Sequence, residues 1–96
     1  MIKVNIKDDE ITIKGHSLYD DFGKDIVCAS VSSICITTVN ALISIDEDCI
    51  TYEENDGYLK IKINNHDEIV DKLINNMINL LGELEKNYKK NIQIIR

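Results

Sequence analysis

The chain has 96 residues, with 17 acidic and 11 basic side chains that give a net charge of −6. This length fits one compact domain with a single core, so we assign residues 1–96 to one domain. The acidic balance argues against direct nucleic-acid binding, because no broad basic face can release counterions. Three cysteines without a CxxC pair exclude a disulfide framework and an all-cysteine zinc site. No secretion signal is recognisable, so we expect a reduced cytoplasmic protein.

Alternating apolar and polar residues predict two β-hairpins and a short last strand. The first hairpin turns at Asp8-Asp9 and carries its apolar residues at two-residue spacing: Ile2, Val4, Ile6, Ile11 and Ile13. The second joins a strand over Cys49–Glu53 to the alternating Leu59, Ile61 and Ile63 through an Asn55-Asp56-Gly57 turn. An Asp-Gly pair between alternating runs is a strong hairpin signal. Ile92 and Ile94 predict the last strand.

The uncharged segment Ile26–Ile45 allows three interpretations. Its β-branched residues favour a strand, and its length would span a bilayer. However, twenty positions without Gly or Pro are too many for a typical strand. Seven Ser, Thr and Asn residues and acidic flanks argue against a membrane span. We therefore predict a buried helix and no membrane partner.

A second helix is predicted from about Asp67 to Lys86. Its apolar residues recur mostly at three- and four-residue steps: Ile69, Leu73, Met77, Leu80, Leu81 and Leu84. Asn65 and Glu68 have the spacing of a capping box. The resulting fold class is α+β with the order ββαββαβ, in which two helices pack on a mostly antiparallel sheet.

One histidine and one cysteine lie where chemistry is expected. His16 follows Gly15 at the end of the second strand, and Cys28 lies just inside the first helix. A helix start and a neighbouring imidazolium both favour a thiolate, the form of cysteine that acts as a nucleophile. The segment between them could form a flap over the site, with Asp20, Asp21, Phe22 and Gly23 as its members. A buried, inert cysteine is the alternative.

These residues also form a recognisable pattern. Gly15-His16, Phe22-Gly23, the segment Asp25-Ile26-Val27-Cys28-Ala29 and then Ser32 together resemble the ribosomal-processing cysteine protease family, Prp. The resemblance extends over the whole chain in length and element order. It implies a homodimeric endopeptidase of the bacterial cytosol that removes the N-terminal extension of large-subunit ribosomal protein number twenty-seven. It also implies that Cys28 is the nucleophile, His16 the catalytic histidine and Ser32 a supporting residue.

A mechanism follows from these assignments. The Cys28 thiolate attacks the scissile carbonyl, His16 protonates the departing amine, and water hydrolyses the thioester. We expect the N–H groups of Cys28 and Ala29 to stabilise the oxyanion. Asp25 either orients His16 or caps the helix, and the cap is the simpler role. The Ser32 hydroxyl either bonds within the site or bonds back to its own helix.

The remaining candidates are assigned structural roles. Cys35 and Cys49 are predicted core residues, and His66 is predicted to lie on the solvated surface. No metal-ligand spacing and no cofactor motif is recognisable. The acidic residues around the second hairpin could attract a basic substrate.

Two non-catalytic alternatives remain open at this stage. One is a ribosome-associated module that binds a peptide, with Cys28 merely buried. The other is a dimeric structural protein without a peptide site.

Overall fold

The computed structural model describes residues 1–16, 18–21 and 25–96. Within them the elements follow the predicted order ββαββαβ. They are β1 (Ile2–Ile6), β2 (Glu10–Lys14), α1 (Ile26–Ile45), β3 (Ile50–Asn55), β4 (Tyr58–Ile63), α2 (Glu68–Asn87) and β5 (Ile92–Ile95). The second hairpin turns at Asp56-Gly57, because Asn55 and Tyr58 are already paired across the strands.

The strands form one sheet in the order β3-β4-β2-β1-β5. Three neighbouring pairs are antiparallel, and only β1 and β5 run parallel, with Ile2 opposite Ile92. The mostly antiparallel sheet is therefore confirmed. The β2–β4 pair joins the two hairpins and places Ile13 opposite Leu59.

The core lies between the sheet and the helices. Alternate residues of β1, β2 and β4 are buried, as the two-residue period predicts, although Ile6 is only partly buried. In the edge strand β3, Ile50 is buried and the following five residues are exposed. The buried side chains of α2 are Val70, Ile74, Met77, Ile78 and Leu81. Ile69 is 54% exposed and Leu80 38% exposed, so their assignment to the buried face was wrong. Successive helical residues lie 100° apart, so Val70 faces the core and its neighbour faces out.

The start of α2 also differs from the prediction. Asp67, rather than Asn65, is the N-cap, and its Oδ1 accepts a hydrogen bond of 2.9 Å from the Val70 N–H. The cap lies two residues later than the capping-box pattern indicated. Glu68 is then the first helical residue.

The uncharged segment is a helix with a mean hydropathy of 2.0, long and apolar enough by length and composition to cross a membrane. In the structure it packs into the core through six residues: Val27, Val31, Cys35, Thr38, Val39 and Leu42. Polar side chains are accommodated locally, because the hydroxyls of Ser30, Thr38 and Ser44 donate to carbonyls four residues earlier. A core helix satisfies the same length and composition test as a membrane span.

Candidate active site

A cleft of about 570 Å³ opens between the first turns of α1 and one end of the sheet. The end of β2, the start of β1 and the β3–β4 turn form its other walls. Of the predicted site residues, the following line it: Gly15, His16, Asp20, Asp25, Cys28 and Ser32. Asp21 is exposed and does not line it. Phe22 and Gly23 lie outside the described residues, so the flap prediction is not tested there.

The backbone of Gly15 directs the chain from β2 into the cleft. Its φ of +101° is a conformation that side-chain-bearing residues rarely adopt. A Cβ atom at this position would collide with the carbonyl oxygen of Met1. The Gly15 N–H donates a 2.8 Å hydrogen bond to the carbonyl of Gly57 in the β3–β4 turn. Glycine is therefore required next to His16 for steric reasons.

The imidazole of His16 packs directly against Gly57. A Cβ atom built on Gly57 would lie 2.8 Å from His16 Nε2 and 3.1 Å from Cε1, closer than side chains pack. Gly57 also has a φ of +67°. The sequence identified this glycine only as a turn former. Its contact with His16 depends on the pairing of β2 with β4, which brings the two hairpins together.

Cys28 is half-buried in the first turn of α1, and Asp25 caps that turn. Asp25 Oδ1 accepts a 2.9 Å hydrogen bond from the Cys28 N–H. Its Oδ2 accepts from the N–H groups of Tyr19 at 3.0 Å and Asp20 at 3.4 Å. The cap role predicted for Asp25 is confirmed, and the same carboxylate also holds the loop that precedes the helix.

Comparison with known proteins identifies the family. The sequence model of the family described as "Cysteine protease Prp" matches residues 1–93. The chain belongs to the cysteine protease Prp family. It is accordingly a ribosomal-processing cysteine protease by family, and the enzyme interpretation is confirmed over the two non-catalytic alternatives.

Relatives of this Prp family member match it over different lengths. The ribosomal processing cysteine protease Prp of Staphylococcus aureus is 27% identical over 88 residues, which cover 88% of this chain and 83% of the relative. That of Mycoplasma genitalium is 53% identical over 34 residues, covering 35% of this chain and 34% of the relative.

The fold of this chain also matches solved structures. The crystal structure of S. aureus Prp with a covalently linked product peptide matches with a TM-score of 0.87 at 23% identity, covering 98% of this chain and 95% of that one. A structure from Streptococcus mutans matches with a TM-score of 0.75 at 27% identity, covering 98% and 90%. These matches confirm the α+β fold.

The predicted oxyanion donors of this Prp family member are already occupied. The Cys28 N–H is bonded to the Asp25 carboxylate, and the Ala29 N–H donates to the Asp25 carbonyl at 3.1 Å. Both N–H groups therefore have acceptors within the protein in this conformation, and their role at the oxyanion stays a prediction. Ile26 and Val27, the first two helical residues, have N–H groups with no acceptor inside the helix.

Ser32 lies one helical turn beyond Cys28 and is exposed to the cleft. The hydroxyls of Ser30, Thr38 and Ser44 bond back to their own helix, but the Ser32 hydroxyl makes no such bond. Within the part of the chain that the structure describes, it has no hydrogen-bond partner. It is available to a molecule bound in the cleft.

The other two cysteines are core residues, as predicted. Cys35 lies deep in the cleft wall with 2% exposure, and burial raises the pKa of its thiol to about 12. Cys49 is fully buried, and burial raises its pKa as well, with Asp46 and Asp67 adding to the shift. A thiol with a raised pKa is a poor nucleophile at neutral pH. Of the two cysteines that line the cleft, Cys28 is half-buried and Cys35 is buried, so Cys28 is the more accessible.

His66 lies on the surface, as predicted, but it is tightly bonded there. Its Nδ1 lies 2.7 Å from Asp71 Oδ1, and its Nε2 lies 2.7 Å from Asp9 Oδ1. These hydrogen bonds raise the pKa of His66, the bond to Asp71 contributing most. Within residues 1–16, 18–21 and 25–96, no group of three or more His, Cys, Asp or Glu residues could hold a metal ion.

Proposed function

We propose that this Prp family member is an endopeptidase that removes the N-terminal extension of large-subunit ribosomal protein number twenty-seven, with Cys28 as nucleophile and His16 as acid–base residue. The observation that carries the proposal is that both residues line one cleft, although Cys28 lies twelve positions after His16 in sequence. Cys28 enters it from the start of α1, and His16 enters it from the end of β2.

The chemistry follows from these positions. The Cys28 sulfur attacks the carbonyl carbon of the scissile peptide bond and forms a tetrahedral oxyanion. His16, as an imidazolium, donates its proton to the leaving amine when the carbon–nitrogen bond breaks. His16 then removes a proton from a water molecule, whose oxygen attacks the thioester carbonyl. The carbon–sulfur bond breaks, which releases the carboxylic acid and regenerates the Cys28 thiol.

The oxyanion needs N–H donors, and in this conformation the Cys28 N–H is already bonded to the Asp25 carboxylate. The Cys28 N–H can serve only after Asp25 Oδ1 releases it. The N–H groups of Ile26 and Val27 lie at the same helix end and carry its partial positive charge. We assign oxyanion stabilisation to this first turn as a whole, with the Asp25 carboxylate competing for one of its donors.

The substrate, the cellular location and the oligomeric state are also parts of the proposal. S. aureus Prp has been crystallised with a substrate peptide and with a covalently linked product peptide, which supports a peptide in the corresponding cleft of this chain. We further propose that the protein acts in the cytoplasm as a homodimer and binds neither nucleic acid nor a membrane. The net charge of −6 supports the absence of direct nucleic-acid contacts.

Incubation of the ribosomal protein with purified variants tests the proposal, with mass spectrometry of its amino-terminal peptide as the readout. We expect wild type to remove the extension and Cys28→Ala to leave it intact while keeping the wild-type circular dichroism spectrum. His16→Ala should reduce the rate about 10²–10⁴-fold, the usual contribution of a general acid or base. Cys49→Ala, a change at a cysteine that does not line the cleft, should retain activity. Trimming by Cys28→Ala would refute the assignment.

A further inference from the structure

The charged side chains that line the cleft are nearly all of one sign. Among the described residues, the cleft is lined by four carboxylates and no lysine or arginine. Asp25 is engaged in the cap, as described above. The other three, Asp20, Glu54 and Asp56, are exposed, and we call them the acidic rim. Asp20 approaches from the loop before α1, and Glu54 and Asp56 approach from the β3–β4 hairpin.

No described lysine, arginine or histidine forms an ion pair with the acidic rim. The ion pairs found in the described part of the chain involve other acids. Adjacent Glu53 lies opposite Lys60, whereas Glu54 lies opposite buried Leu59. Successive strand residues point to opposite faces, so Glu54 faces the cleft and Glu53 faces away from it.

The wall next to the acidic rim is apolar. It is formed by Ile13 of β2, Val31 of α1 and Leu59 of β4, all of which are buried. A lysine or arginine side chain has an apolar stem and a cationic end, so it matches an apolar wall bordered by carboxylates. A neutral or acidic side chain in the same place would leave the carboxylates unpaired or facing like charge.

We propose that Glu54 and Asp56, with Asp20 across the cleft, select peptides that carry a lysine or arginine within about three residues of the scissile bond. An extended chain advances ~3.3 Å per residue, so three residues on either side of the scissile bond reach about 10 Å along the cleft. The inference rests on the proposed peptidase function and adds a substrate preference to it. Each exposed carboxylate that pairs with the cation should improve kcat/KM about 1.4- to 5-fold.

Paired substrates test the proposal. A synthetic, N-acetylated peptide that spans the ribosomal extension is made with lysine or with glutamine at each of the three positions on either side of the scissile bond. Acetylation removes the terminal amino group, so any preference for charge must come from the side chain. The readout is the ratio of kcat/KM for the lysine peptide to that for the glutamine peptide.

We expect wild type to prefer lysine at one or more positions by about 2- to 25-fold, the range for two carboxylates. The double variant Glu54→Gln/Asp56→Asn should reduce the ratio toward one, and Asn retains a turn-forming residue at position 56. The matched control Glu47→Gln/Glu53→Gln changes the net charge equally but leaves the cleft unaltered, so it should keep the wild-type ratio. Added salt should lower the wild-type ratio.

Three results would overturn the inference. A wild-type ratio near one at every position contradicts it, even if all peptides are cleaved. A ratio that falls equally in the double variant and the matched control shows that net charge acts, rather than the acidic rim. If wild type cleaves none of the peptides, both the proposed substrate and the proposed lysine preference are wrong.

Discussion

Replacement of Gly57 by alanine tests whether the hairpin turn positions His16. The new Cβ atom would lie 2.8 Å from His16 Nε2, whereas ordinary contacts begin at 3.4 Å. The imidazole must therefore retreat by about 0.6 Å or more, and because His16 is exposed it can do so toward solvent. A misplacement of about 1 Å can cost a catalytic group 10²-fold. We expect kcat/KM on the ribosomal peptide to fall about 10- to 100-fold.

The same substitution also strains the backbone, so stability must be measured separately. Alanine at a φ of +67° costs about 1–2 kcal/mol. Gly57→Asn introduces the same Cβ atom, but asparagine tolerates this conformation better. It should lose as much activity as Gly57→Ala while unfolding at a higher temperature. A folded Gly57→Ala protein with wild-type kcat/KM would show that the His16–Gly57 contact does not position the imidazole for catalysis.

Three further predictions concern other parts of the molecule. Iodoacetamide at pH 7 should label Cys28 before the buried Cys35 and Cys49, whose thiol pKa values are raised; peptide mapping that finds either of them labelled first contradicts the assignment. The raised pKa of His66 means that its stabilising contribution is complete below its ordinary value of 6.5 and is lost as pH rises through the folded value. Urea unfolding should show this loss in wild type and not in His66→Gln. Gly82→Ala meets only an ordinary 3.9 Å contact, so it should raise the free energy of unfolding by about 0.5–1 kcal/mol in the same assay; a loss of stability would show that the helix is tighter there.

Local sequence patterns predicted the elements well because each has its own period. The two-residue alternation around Ile11 and Leu59 defined both hairpins, and the absence of breakers over Ile26–Ile45 indicated a helix despite its β-branched residues. The cap at Asp25 was also predictable, since it depends only on residues three positions apart. The positions of Cys28 and His16 at element ends follow directly from these boundaries.

Contacts between distant segments could not be predicted in the same way. No local signal shows that β2 pairs with β4, and this pairing brings Gly57 to His16. The double hydrogen bonding of His66 depends on Asp9, 57 residues away. The predicted buried face of α2 was right at Met77 and Leu81 and wrong at Ile69 and Leu80, because several apolar stripes were possible on its surface. Ile69 and Val70 are both apolar, and only packing against the sheet distinguishes them.

The Asp25 carboxylate connects the helix cap, which local sequence predicts, with contacts between distant segments. One oxygen holds the N–H of the predicted nucleophile, and the other holds the loop at Tyr19 and Asp20. Tyr19 is in turn packed edge-on against Tyr88 at the end of α2, with ring centroids 5.4 Å apart. A displacement of this loop must therefore break or redirect hydrogen bonds to the same carboxylate that occupies the Cys28 N–H. The position of the loop and the availability of the Cys28 N–H, a proposed oxyanion donor, are for this reason coupled through a single side chain.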